Sequence, residues 1–154
     1  MRATFMQLLN AYNAFNNDGK VYTPRIAAFL SEPGGKKRQL PPQKIRQVIS
    51  SKTAATMRRI LQKVVQKGTG KAAQIEGLEI GGKTGTAHIA SGGKYRKRYN
   101  SSFFGFANDK KHRYTIGVTV IEPQKHYFAS QTAVPVFRNI VLELISEGYL
   151  SVEP

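Results

Sequence analysis

The stretch Gly77-Leu78-Glu79-Ile80-Gly81-Gly82-Lys83-Thr84-Gly85-Thr86 decides how this chain is read, because two incompatible structures can be drawn through it. Counted from Gly77, it fits the phosphate-loop pattern G-x-x-x-x-G-K-[ST]. Counted from Lys83, it is a K-T-G element carried on a glycine-broken strand. A phosphate loop needs a buried strand before its first glycine and a helix starting at the lysine, whose free N–H groups hold the phosphates. Residues 71–76 before it (Lys71, Ala72, Ala73, Gln74, Ile75, Glu76) make a poor buried strand, and the Thr- and Gly-rich residues 84–93 a poor helix. The strands that follow pair as a hairpin, whereas nucleotide-binding folds of that type build parallel sheets through crossover helices. The strand reading prevails.

On a strand, Lys83 and Gly85 share one face while Thr84 and Thr86 share the other. Glycines at 81, 82 and 85 remove side chains and are expected to let a ligand backbone lie close. If the strand is an edge, its N–H and C=O groups also face outward and can take an extended peptide by strand addition. A lysine beside two hydroxyls and free N–H groups suits an anionic peptide end.

Working outward, the residues from 78 onward have a period of two. Strands are expected at Leu78–Thr86, at Ser101–Ala107 and at Arg113–Ile121, where Tyr114, Ile116, Val118 and Val120 alternate. The link Asn108–His112 is short enough for a hairpin. Upstream, Phe5, Leu8, Leu9, Tyr12 and Phe15 predict a helix closed by Asn16-Asn17-Asp18-Gly19, without a capping residue before it, so that it reads as a helix cut into. Tyr22–Leu30 reads as one extended segment and Ser31–Arg38 as a turn. Met57, Ile60, Leu61, Val64 and Val65 mark a second helix, capped by Ser50 or Ser51 and ended by Gly68. Val134, Phe137, Val141 and Leu144 mark a third, starting near Thr132, with Pro135 tolerated in its first turn. The fold class is therefore α+β: three antiparallel strands with flanking helices, in one domain spanning residues 1–154.

The 154 residues carry a formal charge of +15, and all of the excess lies in the first 100. A basic surface of this size draws polyanions. There are no cysteines, which excludes disulfides, thiol catalysis and Cys-ligated metal. No apolar run approaches the roughly 18 residues needed to span a bilayer, and the start lacks an apolar signal core. His88, His112 and His126 are too dispersed for a metal site and each falls in a predicted loop, so neither metal nor cofactor is expected. The loop Ser91–Tyr99 interleaves basic residues with tyrosines, but no RNA-binding signature accompanies it, and nucleic acid is not an expected partner. The Pro123–Ser130 loop, with Tyr127 and Phe128, is expected to border the cleft.

From end to end the chain resembles the class B penicillin-binding proteins, the peptidoglycan D,D-transpeptidases of division and elongation. The resemblance rests on the order and spacing of Gln7-Leu8-Leu9-Asn10-Ala11-Tyr12, Asn17-Asp18-Gly19 with Pro24, Gly68-Thr69-Gly70-Lys71-Ala72, Gly82-Lys83-Thr84-Gly85-Thr86-Ala87, Tyr95, Ser102-Phe103-Phe104-Gly105-Phe106, Glu122-Pro123 and Ala133-Val134-Pro135-Val136-Phe137. It implies a partial penicillin-binding-protein/β-lactamase-like transpeptidase fold. It further implies that Lys83 keeps the serine network poised for proton transfer and that Thr84 and Thr86 hydrogen-bond the carboxylate of a donor peptide or a β-lactam. Gly85 would leave room for that group, and the backbone N–H of Thr86 would be an oxyanion donor.

The family also needs the nucleophilic serine of S-x-x-K and the serine of S-x-N. The one S-x-x-K here, Ser91-Gly92-Gly93-Lys94, follows the K-T-G strand in a glycine loop, and there is no S-x-N. The expectation is the C-terminal portion of a transpeptidase domain, inactive alone, whose partners are the missing N-terminal half, peptidoglycan stem peptides, β-lactams and the wall-synthesis machinery. The resemblance places the full-length protein on the periplasmic face of the bacterial inner membrane. A second reading is a non-catalytic module that binds an anionic peptide or polymer.

Overall fold

The computed structural model describes residues 3–91 and 94–152, with the backbone alone for 90, 91 and 94–97. The chain begins with α1 (Phe5–Asn16), then four short strands, β1 (Lys20–Tyr22), β2 (Phe29–Ser31), β3 (Lys37–Gln39) and β4 (Ile45–Gln47). Helix α2 (Ser51–Lys67) follows, then the long strands β5 (Glu79–Ser91), β6 (Lys94–Asn108) and β7 (Arg113–Ile121), and α3 (Ala133–Ser146). The fold is α+β.

Each helix starts where its sequence supplies an acceptor or tolerates its absence. Contrary to the sequence expectation, α1 is capped: Thr4 Oγ1 accepts from the Gln7 N–H at 3.2 Å, and Gln7 Oε1 accepts from the Thr4 N–H at 2.8 Å. This reciprocal capping box satisfies two of the N–H groups that a helix start leaves unpaired. Ser50 caps α2, accepting from the Thr53 N–H at 3.1 Å, and the Gly68 N–H closes it on Val64 O at 3.0 Å. Ala54, Leu61 and Val65 are the buried side of α2, whereas Ile60, grouped with the apolar stripe by sequence, is 48% exposed. Ile60 stands roughly 100° around the helix from Leu61, outside the strip that the sheet covers.

Strands β5, β6 and β7 form one antiparallel sheet in that order, with Lys83 opposite Phe104 and Phe104 opposite Gly117. The β6–β7 hairpin closes through the Asp109 N–H on His112 O at 3.1 Å. Strand β7 has the bounds expected from its alternation; β5 and β6 run on past Thr86 and start before Ser101. That extension carries mostly polar residues on a two-stranded ladder, so no alternation of apolar side chains announces it. The expected single segment Tyr22–Leu30 is split between two small sheets, β1 with β4 and β2 with β3, and the expected turn at Ser31–Arg38 is the tip of the latter hairpin.

The sheet is covered on both faces. Phe104 meets Phe5 and Tyr12 of α1 at ring-centroid distances of 5.2 and 5.6 Å, while Phe103, on the opposite face, meets Phe137 of α3 edge-on at 4.8 Å. Phe103, Val134, Phe137 and Val141 are fully buried, each Phe or Val contributing on the order of 2 kcal/mol of transfer free energy. A polar chain ties the helices to the strand ends: Asn108 Nδ2 donates to Asn16 Oδ1 (2.7 Å) and Glu79 Oε2 (3.1 Å), and Asn16 Nδ2 donates to Thr115 Oγ1 (3.3 Å). Glu79 also accepts from Gln62 Nε2 at 2.8 Å and pairs with Arg58 Nε at 3.1 Å. The start of β5 is thereby fixed to both α1 and α2.

Candidate functional site

Lys83, Thr84, Gly85 and Thr86 lie in the middle of β5, not at a helix start, which removes the phosphate loop on geometry as well as on sequence. Strand β5 is an edge of the sheet. Thr84 O accepts from Lys83 Nζ at 2.9 Å and so faces away from β6. Because backbone direction repeats every second residue on a strand, the N–H and C=O of Thr86 point the same way, along the open edge. Lys83 and Thr86 are exposed, and Thr84 and Gly85 are half-buried.

The hydroxyl of Thr84 is held from outside the strand. Thr84 Oγ1 lies 2.8 Å from Thr69 Oγ1, in the segment that follows the C-terminus of α2, and 3.4 Å from Lys83 Nζ. Thr69 thus holds the Thr84 hydroxyl from outside β5; the sequence marks it only as a member of Gly68-Thr69-Gly70-Lys71-Ala72, and no periodic pattern gives it this contact.

The glycines divide by role, and here the structure corrects the sequence expectation. Gly81 and Gly82 are buried. A Cβ on Gly81 would stand 2.4 Å from Phe106 Cζ and 2.9 Å from the Gln62 nitrogen of α2; one on Gly82 would stand 2.4 Å from Phe103 Cζ and 2.9 Å from Phe104 O. These two positions make room for the core phenylalanines and a close helix, not for a ligand. At Gly85 the one near atom is Ser102 Oγ, 2.7 Å away, a hydroxyl that can rotate.

Beyond Thr86 the face that carries both threonines continues into a chain of rings. His88 meets Tyr99 at 4.5 Å, Tyr99 stacks on Tyr127 at 4.7 Å, and Tyr127 meets Phe128 at 4.3 Å. The Ser101 hydroxyl donates to Tyr127 O, so the loop after β7 is pinned to β6 next to the Thr86 register position. The Pro123–Ser130 loop thus sits on the Thr86 side of the site. His88, expected in a loop, is in β5. Arg98 clamps Glu122 through both carboxylate oxygens, one at 2.7 Å from Nε, and this contact holds the Glu122 carboxyl below and the Arg98 guanidinium above their ordinary ranges. Among the described residues no group of three or more His, Asp or Glu could hold a metal.

Ser91 and Lys94 face each other as the last and first residues of β5 and β6, so Ser91 ends a strand and does not open a helix. Gly92 and Gly93 of that S-x-x-K run lie outside the described residues. An ammonium, two hydroxyls and outward N–H groups along one strand edge can bind a carboxylate and stabilise a developing oxyanion.

Residues 1–142 match the family model described as the penicillin binding protein transpeptidase domain. The chain is 38% identical over 156 residues to stage V sporulation protein D of Bacillus subtilis and 33% identical over 164 residues to penicillin-binding protein PbpB of Mycobacterium tuberculosis, covering 98% of this chain and 24% of each relative. The probable peptidoglycan D,D-transpeptidase PenA of Neisseria gonorrhoeae is 30% identical over 144 residues. Among solved structures, penicillin-binding protein 3 of Mycobacterium tuberculosis superposes with a TM-score of 0.83 at 32% identity, covering 99% of this chain and 37% of that one. The same protein has been solved with aztreonam and with ampicillin. The chain therefore spans about a quarter of the length of the curated relatives it matches.

Proposed function

The chain belongs to the penicillin-binding protein transpeptidase family, a family of serine-type D,D-transpeptidases, and from that premise we propose that residues 1–154 form the C-terminal portion of a transpeptidase domain that cross-links peptidoglycan stem peptides. The open edge of β5 carries this reading. It aligns Lys83 Nζ, the Thr84 and Thr86 side chains and the outward backbone of Thr86 within one short run of strand.

In this reading a donor stem peptide lies along β5 as an added strand, its carboxylate taken by the Thr84 and Thr86 hydroxyls, with Gly85 leaving the space between them open. A serine outside the sequence read here attacks the donor carbonyl, the leaving amine takes the proton, and an acyl-enzyme remains that the amine of a second stem peptide resolves. Lys83 supplies positive potential and keeps the serine's proton network poised. The Thr86 N–H is one oxyanion donor, and losing one such donor costs about 3 to 4 kcal/mol of transition-state stabilisation. β-Lactams enter through the same carboxylate contacts. No helix among the described residues is long and apolar enough to cross a membrane; the placement on the outer face of the inner membrane comes with the family reading.

The test is acylation by a fluorescent penicillin, read by gel and by peptide mapping. The chain alone should remain unlabelled. Supplied with the family's upstream half-domain, label should appear on the upstream S-x-x-K serine and should be lost with Lys83→Met. An adduct mapped within residues 1–154 would overturn the assignment of the nucleophile, and absence of label in the reconstituted domain would overturn the whole reading.

A further inference from the structure

Helix α2 has no acidic residue in its 17 positions. Arg58, on its inner side, is engaged with Asp18 and Glu79. Lys52, Arg59, Lys63 and Lys67 are all exposed, and no ion pair among the described residues includes them. At 100° per residue these four fall within about 80° of one another, on the side of the helix opposite Leu61 and Val65. They form a single file about 22 Å long, with Arg59, Lys63 and Lys67 at steps of about 6 Å. The file ends two residues before Thr69, whose hydroxyl touches Thr84.

We propose that this row is a docking rail for a linear phosphodiester polymer of polyol units, lying outside the strand edge assigned to stem peptides. A chain of phosphodiesters presents an unbroken line of single negative charges to such a row, and each cation it meets releases a condensed counterion. The side chains beside the row decide against other anionic partners. Embedding the helix in a membrane interface needs an apolar flank to bury, and Ile60 alone is exposed there. A protein interface needs an apolar, aromatic centre, and single-stranded nucleic acid needs stacking rings; α2 carries no aromatic residue. A narrow cationic file without rings or greasy flanks fits a polymer that has phosphates and no bases.

The experiment is fluorescence anisotropy of labelled poly(glycerol phosphate) titrated with the 154-residue protein over a range of salt. The expected result is binding whose log K falls linearly with log salt. The triple variant Arg59→Gln/Lys63→Gln/Lys67→Gln should reduce that slope by about 2 and the low-salt affinity roughly tenfold or more. Removing the same charge from the β2–β3 hairpin, as Lys36→Gln/Lys37→Gln/Arg38→Gln, should change both far less. Lysine acetylation of the unaltered protein, mapped by mass spectrometry, tests the site without any variant: bound polymer should protect Lys63 and Lys67 and leave Lys36 and Lys37 reactive. Equal loss in the two triple variants, uniform protection, or tighter binding of an oligothymidylate of equal charge would each overturn the proposal.

Discussion

Gly82→Ala separates a glycine that packs the core from one that clears a ligand path. The added methyl would start 2.4 Å from Phe103 Cζ, 2.7 Å from its Cε1 and 2.9 Å from Phe104 O. Neither neighbour can yield cheaply. Phe103 is fully buried with its ring edge-on to Phe137 at 4.8 Å, and Phe104 O belongs to the β-ladder. Overpacking a tight site costs about 1 to 3 kcal/mol, and backbone contact puts this one at the upper end, about 2 to 3 kcal/mol. In urea, with a slope of roughly 2 kcal/mol/M, the midpoint should fall by about 1 to 1.5 M at unchanged slope. Gly85→Ala is the control. Its methyl meets Ser102 Oγ alone, at 2.7 Å, so the penalty should stay below about 1 kcal/mol and vanish in a Ser102→Ala background. A Gly82→Ala protein as stable as its parent, or a Gly85→Ala penalty that persists without the Ser102 hydroxyl, would refute this division of roles.

Asp109 accepts from the backbone N–H groups of Lys111 and Ser151 at 2.7 and 2.9 Å and meets His112 Nδ1 at 3.1 Å. The His112 side chain first, then the N–H groups, hold its carboxyl far below the ordinary 3.8. A depressed folded value means that stability is fully present above the ordinary carboxylate range and is lost as pH falls below it; Asp109→Asn should therefore lower stability at neutral pH and flatten the acid limb of a pH-dependent urea series. Thr69→Val should cost about 1 kcal/mol in the same assay by removing the bridge to Thr84, and in a reconstituted domain it should slow β-lactam acylation while Thr69→Ser restores it. Lys83→Met should leave the unfolding midpoint within about 0.5 kcal/mol of the parent, since the side chain is exposed, yet reduce the acylation rate constant of the reconstituted domain by at least about 100-fold.

How much of this was legible in the sequence depends on whether a feature writes itself into a periodic pattern. Strand β7 alternates Tyr114, Ile116, Val118 and Val120, and its bounds were readable to the residue. Helix α2 announced Leu61 and Val65 of its buried side, and its cap, Ser50, is one of the two serines its sequence offers. The four short strands were missed because three-residue segments with exposed side chains leave no apolar alternation. The cap of α1 was missed because Thr4 and Gln7 form a capping box only when read as a pair. At the candidate site, the placement of Lys83–Thr86 on a strand was readable, but the return of Lys83 Nζ to within 3.4 Å of Thr84 Oγ1 was not, since strand alternation assigns the two side chains to opposite faces. It misread Gly81 and Gly82, since glycines that admit a ligand and glycines that admit a phenylalanine have the same letter. The Thr69 to Thr84 contact spans a loop and a strand, and no spacing rule carries it.

That hydroxyl bridge has a mechanical side. Helix α2 packs on strand β5, and the Thr69–Thr84 contact fastens the segment just after the helix to the Lys83–Thr86 stretch of the strand. A helix tugged along its axis must either part the two oxygens or drag the threonine with it. Whatever grips the outer surface of α2 therefore pulls on a rod whose far end is tied to Thr84, and load applied some 20 Å away reaches the strand edge as a change in where one oxygen sits.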